Sequence, residues 1–168
     1  QRQSPFYRIP QELRDEIYST VFYSTRISYG YQNRWSVSKL WVRPAPYSLA
    51  ILRLCRRMNL EIRNSWLSKV LIFFLDPWTM FVKLKSLPVE VLYNLKHLHL
   101  VIDDQFYLVA PVIPNFDKLF NRITGMHLKT LTISFEGKGL KYISDAHNIL
   151  QSFAQSGKGW TTLHFIAH

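Results

Sequence analysis

The six histidines are the residues of this chain that most readily suggest chemistry, because imidazole binds zinc and transfers protons near neutral pH. His97 and His99 lie two residues apart, and His164 lies in a similar segment further along the chain. If these segments are strands in sequential order, His164 is roughly 9.5 Å from the pair, whereas zinc–ligand bonds are about 2 Å long. The pattern therefore favours histidines on a sheet surface over a metal site, and we expect neither a metal nor a cofactor.

Other motifs for catalysis are incomplete. The segments Gly137-Lys138-Gly139 and Gly157-Lys158-Gly159 lack the remainder of a phosphate-binding P-loop, and turn formation explains their glycines. No Gly-x-Ser-x-Gly nucleophile elbow is present. Asp103-Asp104 follows a predicted strand, where a lone acidic pair is typical of a turn. We therefore predict a non-enzymatic protein with no catalytic residue and no small-molecule substrate.

The histidines belong to a segment that recurs along the chain. Residues 95–102 (LKHLHLVI) are repeated as 128–135 (LKTLTISF), loosely as 160–166 (WTTLHFI), and more weakly at 67–74. Apolar residues at every second position indicate one face of a β-strand. A unit that returns every 28–33 residues is typical of stacked supersecondary elements. Strands are predicted at 69–75, 97–102, 129–135 and 161–166, with helical or irregular segments at 78–93, 112–124 and 141–155. Such alternation predicts right-handed βα units that form a small, mainly parallel sheet of about four strands.

Alignment of the repeats predicts which side chains share a face of the sheet. The core-facing positions form an apolar ladder: Leu98, Leu100, Leu131, Ile133, Leu163 and Phe165. The opposite face carries two polar rows: His97, Thr130 and Thr162, and then His99, Thr132 and His164. That polar face could bind a ligand, or it could be the side covered by helices with polar edges. We expect His99 to face outward, so that its replacement by alanine is nearly neutral.

Two helices are predicted before the repeats. Leu13, Ile17 and Val21 recur at i, i+4 and i+8, which predicts an amphipathic helix over about 11–23. The strongest helical pattern runs from Ser48 to about residue 68. Its apolar face comprises Ile51, Cys55, Met58, Ile62 and Trp66. Cys55 is expected to be a buried, inert thiol. The aromatic and cationic residues between the helices predict a hairpin or an ordered loop over 26–42.

Charge is distributed unevenly along the chain, whose net charge is +10. Residues 1–70 contain 12 Lys and Arg and 4 Asp and Glu, a net charge of +8, and ten of the cations are arginines. A basic surface rich in arginine suits an acidic partner, although ion pairs within the protein and a solvated face explain it equally well. No apolar run is long enough to span a membrane, and we expect one soluble intracellular domain, cytoplasmic or nuclear.

The segment Ile9-Pro10-Gln11-Glu12-Leu13-Arg14-Asp15-Glu16-Ile17-Tyr18 resembles the start of filamentous-fungal F-box-like proteins, a group that includes the two-EXR family. The two Glu-x-Arg triplets are Glu12-Leu13-Arg14 and Glu61-Ile62-Arg63. The second lies in a helix similar to the family's Leu-Leu-x-x-Cys-Arg-x-x-x-x-Glu pattern. Two features depart from the family: Ile9 replaces the usual leucine, and a 25-residue aromatic segment separates the helices.

This resemblance implies an F-box-like helical part at 6–68, packed on a small, mainly parallel, leucine-rich-repeat-like βα sheet at 69–168. In F-box proteins the N-terminal helices bind Skp1, an acidic adaptor of cullin ubiquitin ligases, and the repeats take the substrate. The expected function is therefore a substrate-recruiting or scaffold subunit. The predicted partner-binding residues are Phe6, Ile9, Leu13, Arg14, Arg26, Arg34, Trp35, Trp41, Arg56 and Arg57. The alternative is a nucleic-acid-binding domain that uses the arginines and aromatic rings of residues 23–63.

Overall fold

A computed structural model of the chain describes residues 4–29, 48–63, 65–103, 126–136, 147, 151 and 159–167. Five α-helices are described: α1 (Gln11–Tyr23), α2 (Ile51–Leu54), α3 (Arg56–Ile62), α4 (Pro77–Ser86) and α5 (Val89–Asn94). Five strands are described: β1 (Arg26–Tyr29), β2 (Leu71–Phe74), β3 (His97–Asp103), β4 (Leu128–Glu136) and β5 (Trp160–Ala167). Short 3-10 turns lie at Pro5–Arg8, Ser48–Ala50 and Ser65–Ser68.

The five strands form one sheet in the order β1-β2-β3-β4-β5, and every neighbouring pair is parallel. This confirms the predicted α/β class and the four repeat strands. Residues 26–29, which were predicted to belong to a hairpin or an ordered loop, instead form a fifth strand that pairs in parallel with β2. Thr25 accepts a hydrogen bond from the Leu71 amide at 3.1 Å, and Tyr29 accepts one from the Leu75 amide at 2.9 Å, so β1 pairs with β2. The other arm of the expected hairpin, within 30–42, lies outside the described residues.

The predicted strand register is confirmed. His97 pairs with Thr130 and Thr130 with Thr162, while Leu98 pairs with Leu131 and Leu131 with Leu163. The second polar row, with His99, Thr132 and His164, and the second apolar row, with Leu100, Ile133 and Phe165, are aligned in the same way. Since side chains alternate across a strand, the apolar and polar rows lie on opposite faces of the sheet.

The apolar face of the sheet packs on the helices and forms the core. Leu100, Leu131 and Ile133 are completely buried, and Met80 and Leu84 of α4 are buried in the same cluster. Asp76 begins α4 by accepting a hydrogen bond from the Thr79 amide at 2.6 Å. The predicted helical segment 78–93 is two helices, because Leu87 is extended and Pro88 follows it. Of the predicted segments 112–124 and 141–155, only His147 and Gln151, both helical, are among the described residues.

The prediction of one continuous helix over 48–68 was wrong. Cys55 adopts an extended backbone, with φ −161° and ψ 158°, which ends α2 and begins α3. Its Sγ accepts a hydrogen bond from the Met58 amide at 3.4 Å, so the thiol caps α3. Cys55 is half-buried rather than buried in the core. Arg63 has a positive φ of 41°, which ends α3.

The bounds predicted for α1 are confirmed, but the apolar stripe does not form its buried face. Arg14, Tyr18 and Phe22 are buried instead, whereas Leu13 is 50% exposed and Ile17 is 39% exposed. None of the described helices is long and apolar enough to cross a membrane.

Candidate functional site

A cluster around Glu61 joins the first helix to the third. The Nε and Nη2 atoms of Arg14 each donate to the Glu61 carboxylate at 3.2 Å. The Tyr18 hydroxyl and Arg57 Nε donate to the same carboxylate, also at 3.2 Å. Arg14 is almost completely buried and has further acceptors in the Ile9 carbonyl, at 2.6 Å, and the Gln11 side chain. The Arg14 side chain therefore acts inside the domain, where it fixes α1 to α3.

Two tyrosines border this cluster, and their surroundings disfavour ionisation. Burial, followed by the charge of Glu61, raises the pKa of Tyr18 above its usual value. Burial and the contact between the Tyr7 hydroxyl and Cys55 Sγ, at 3.0 Å, raise the pKa of Tyr7 to about 12. The same contact lowers the pKa of the Cys55 thiol. Both hydroxyls thus remain protonated, and Tyr18 acts as a donor to Glu61.

An apolar groove lies along the exposed side of α1. Its described lining comprises Ile9, Leu13, Glu16, Ile17, Thr20 and Val21. Ile9 and Val21 are half-buried, whereas Leu13 and Ile17 are substantially exposed. We call Ile9, Leu13, Ile17 and Val21 the α1 stripe. Leu13, Ile17 and Val21 are the residues whose spacing predicted the helix, and the domain leaves Leu13 and Ile17 substantially exposed.

A second exposed surface lies on α2 and α3 and is basic. It comprises Arg53, Leu54, Arg56, Arg57, Leu60 and Arg63, all of which are exposed. We call this set the arginine surface. It contrasts with the exposed side of α1, which carries Glu12, Asp15 and Glu16. The Arg57 guanidinium lies 4.0 Å from the centroid of the Tyr7 ring, so the arginine surface adjoins the segment that leads into α1.

The predicted partner-binding residues have different environments. Phe6 is half-buried against the core, with its ring 5.8 Å from that of Tyr18. Arg26 lies at the start of β1 with its guanidinium 3.3 Å from the centroid of the Phe73 ring. Ile9, Leu13, Arg56 and Arg57 belong to the two surfaces described above, and Arg14 is internal. Arg34, Trp35 and Trp41 lie outside the described residues.

The polar face of the sheet is partly enclosed, although His99 lies on the face opposite the apolar core, as the register predicted. His99 is half-buried: its Nε2 lies 2.6 Å from Ser134 Oγ, and its ring lies 4.6 Å from that of Phe73. Burial and the charge of Arg26 lower the pKa of His99 to about 4, so the ring is neutral at pH 7. Strand alternation places Ser134 on the same face as Thr130 and Thr132, a signal that sequence reasoning did not use.

In the first polar row, the side chains of His97 and Thr130 likewise contact each other. His97 Nδ1 lies 2.7 Å from Thr130 Oγ1, and burial together with Lys129 lowers the pKa of His97. Thr162 and His164, on β5, are exposed. Among the described residues, no group of three His, Cys, Asp or Glu side chains is arranged to hold a metal ion.

The described part of the chain defines an α/β protein whose five-stranded parallel sheet is packed on helices. Comparisons with protein-family models, with curated proteins and with solved structures find no match to this chain. The arguments for its function therefore rest on the residues and surfaces described above.

Proposed function

We propose that this chain is a non-enzymatic protein-interaction module whose N-terminal helices bind an acidic protein, with the adaptor Skp1 as the candidate partner. In this proposal the protein is an F-box-like substrate-recruiting or scaffold subunit. The observation that supports it most directly is the α1 stripe, an apolar helix face that the domain does not use for its own core.

Burial of the α1 stripe would supply a favourable term for association. Full burial of a leucine or isoleucine side chain contributes about 1.5–3 kcal/mol. Leu13 and Ile17 are 50% and 39% exposed, so each retains roughly 1 kcal/mol of this term for a partner to recover. Apolar anchors at i and i+4 also match the way in which a helix binds in a groove.

The arginine surface would supply attraction to an acidic partner. Its cations are exposed, whereas Glu61, the acid on α3, is largely covered and already paired with two arginines. Arg14 is excluded from the proposed docking set because its guanidinium is committed to Glu61. Since α1 carries the exposed acids Glu12, Asp15 and Glu16, the charge attraction should act through α2 and α3 and steer the partner as it approaches.

Purified fungal Skp1, tested by isothermal titration calorimetry and co-elution, provides the direct experiment. We expect binding by the wild type, at least a tenfold loss for Leu13→Glu, and little change for Val89→Glu. Val89, on α5, is a matched control because it is 59% exposed and apolar but lies outside the stripe. If the wild type does not bind Skp1 at micromolar concentrations, or if both variants bind equally, the proposed docking surface is incorrect.

A nucleic-acid-binding function is the second candidate, and the arginine surface favours it. Its four exposed arginines give an upper bound on the salt dependence: if all four contact phosphates of a single strand, the slope of log K against log [salt] approaches about −3. Fluorescence anisotropy with a labelled single-stranded RNA tests this function. The double variant Arg53→Glu with Arg56→Glu should abolish binding to this RNA, whereas Leu13→Glu should leave RNA binding unchanged.

A further inference from the structure

The two edges of the sheet differ in how well they are protected from pairing with another strand. The β1 edge has four residues and begins with Arg26. The β5 edge has eight residues, and it contains no charge, proline or glycine. Proteins protect edges with short strands, charges or prolines, because an open edge offers unpaired N–H and C=O groups. In the part of the chain that the structure describes, β5 pairs only with β4.

The apolar rows of the core are also incompletely covered at β5. Leu131 and Ile133 are completely buried, whereas their register partners Leu163 and Phe165 are only half-buried. On the opposite face Ile166 is 36% exposed. An additional strand beside β5 would cover the exposed parts of these side chains while satisfying the edge backbone.

We propose that β5 pairs in antiparallel orientation with β5 of a second copy of this chain, with the two-fold axis passing beside His164. In this register Leu163 lies opposite Phe165 of the second copy, so both apolar rows continue across the axis. Thr162 lies opposite Ile166, and His164 lies opposite its own equivalent. A two-fold axis requires such self-complementarity, since the same surface is used by both copies.

Other registers extend the apolar rows less well. A shift by one residue between the strands would place the core-facing residues of one copy beside the polar face of the other. An axis at Leu163 would pair Phe165 with Thr161, and an axis at Phe165 would pair Leu163 with Ala167. Among these three, the axis at His164 is therefore the one that places both large core-facing side chains, Leu163 and Phe165, opposite large apolar side chains of the second copy.

The chain has a net charge of +10, but no charged side chain lies on β5 to repel β5 of a second copy. No Lys, Arg, Asp or Glu occurs in residues 159–168. The pairing of a single strand with its equivalent buries less area than the roughly 1,000 Å² that stable interfaces exceed. We therefore expect a concentration-dependent dimer, with dissociation in the micromolar range or weaker.

Disulfide trapping in a Cys55→Ser background tests the register. Directly opposed residues of an antiparallel pair have Cα atoms about 4.5–5.5 Å apart, within the range for a disulfide. His164→Cys should therefore form a covalent dimer under mild oxidation. Thr161→Cys is the matched control, because in this register its two copies are six residues apart along the strands, roughly 20 Å. Equal cross-linking of the two variants, or none by His164→Cys, would overturn the proposed register.

Charge complementation tests the dimer without a covalent bond. In sedimentation velocity the wild type should pass from monomer to dimer between about 1 and 200 µM, a range centred on the micromolar affinity expected for a small interface. His164→Asp and His164→Lys should each remain monomeric, because like charges would oppose each other at the axis, whereas their mixture should dimerise.

His127→Asp is the control: it changes an exposed histidine whose ring contacts Tyr93 of α5. A wild type that stays monomeric throughout, or single variants that dimerise like the wild type, would refute the proposal. Far-UV circular dichroism of each variant confirms that it is folded.

Discussion

Replacement of Glu61 by alanine should destabilise the protein strongly, although Glu61 lies neither in the sheet nor in the apolar core. The substitution removes the acceptor of four hydrogen bonds, two from Arg14, one from Tyr18 and one from Arg57. Arg57 can hydrate when its partner is lost, because its side chain is 44% exposed. Arg14 cannot do so, because its side chain is 7% exposed.

The burial of Arg14 sets the magnitude of the effect. Removing one partner of a buried ion pair costs about 3–5 kcal/mol, since it leaves an uncompensated buried charge. Arg14 keeps the Ile9 carbonyl and the Gln11 side chain as acceptors, so we expect the lower end, about 3 kcal/mol. For a chain of this size that is roughly 6–12 °C in melting temperature.

Arg57→Ala provides the matched comparison, because it removes the exposed partner of the same carboxylate. The i, i+4 ion pair contributes about 0.5 kcal/mol, and the Arg57–Tyr7 ring contact adds about 0.5–1 kcal/mol. A total near 1 kcal/mol is about a third of the cost expected for Glu61→Ala. Urea denaturation followed by circular dichroism measures both, with an unchanged m-value required for the comparison.

A double variant, Arg14→Met with Glu61→Leu, separates charge burial from loss of packing. It removes both charges from the cluster, so it should recover most of the stability lost in Glu61→Ala. Equal destabilisation by Glu61→Ala and Arg57→Ala would refute the reasoning. So would a double variant that is as unstable as the sum of its single variants, because the two side chains would then act independently.

Two further predictions concern the faces of the sheet. Leu131→Asp should unfold the domain, because it places an unpaired charge at a completely buried position, whereas His164→Ala should change the melting temperature by no more than a few degrees. Stability should also fall as the pH falls from about 6.5 to about 4, because the pKa of His99 is lowered to about 4 and the unfolded chain binds the proton more readily. His99→Gln should flatten that part of the pH profile, and an unchanged slope would show that His99 is not responsible.

The sheet could be predicted from the sequence because its signal is local and repeated. Alternation along each segment fixes which side chains face the core, and alignment of the repeats fixes the register, so the row formed by His97, Thr130 and Thr162 followed from the sequence. The first strand was missed because β1 has four residues and belongs to no repeat. Its pairing depends on Thr25 and Tyr29 reaching β2, a contact between distant parts of the chain.

The helices were harder to predict because tertiary contacts override helical periodicity. The apolar spacing through Cys55 is continuous, but the thiol caps α3 with an extended backbone at that residue and also contacts the Tyr7 hydroxyl. The enclosure of His99 likewise depends on Phe73 and Ser134 of the neighbouring strands. The residues next to Cys55 and next to His99 in the sequence do not indicate these contacts with distant parts of the chain.

The Glu-x-Arg triplets connect the unexpected orientation of α1 with its exposed apolar stripe. The arginine of the first triplet, Arg14, pairs with the glutamate of the second, Glu61. Their other members, Glu12 and Arg63, are exposed. Successive residues of a helix are about 100° apart, so directing Arg14 and the tyrosine four residues later toward α3 turns Leu13 and Ile17 away from the core. The buried ion pair thus sets the rotation of α1, and the same rotation leaves Leu13 and Ile17 exposed, where the proposed partner would bind. A substitution that breaks the pair should therefore weaken partner binding even where the domain remains folded.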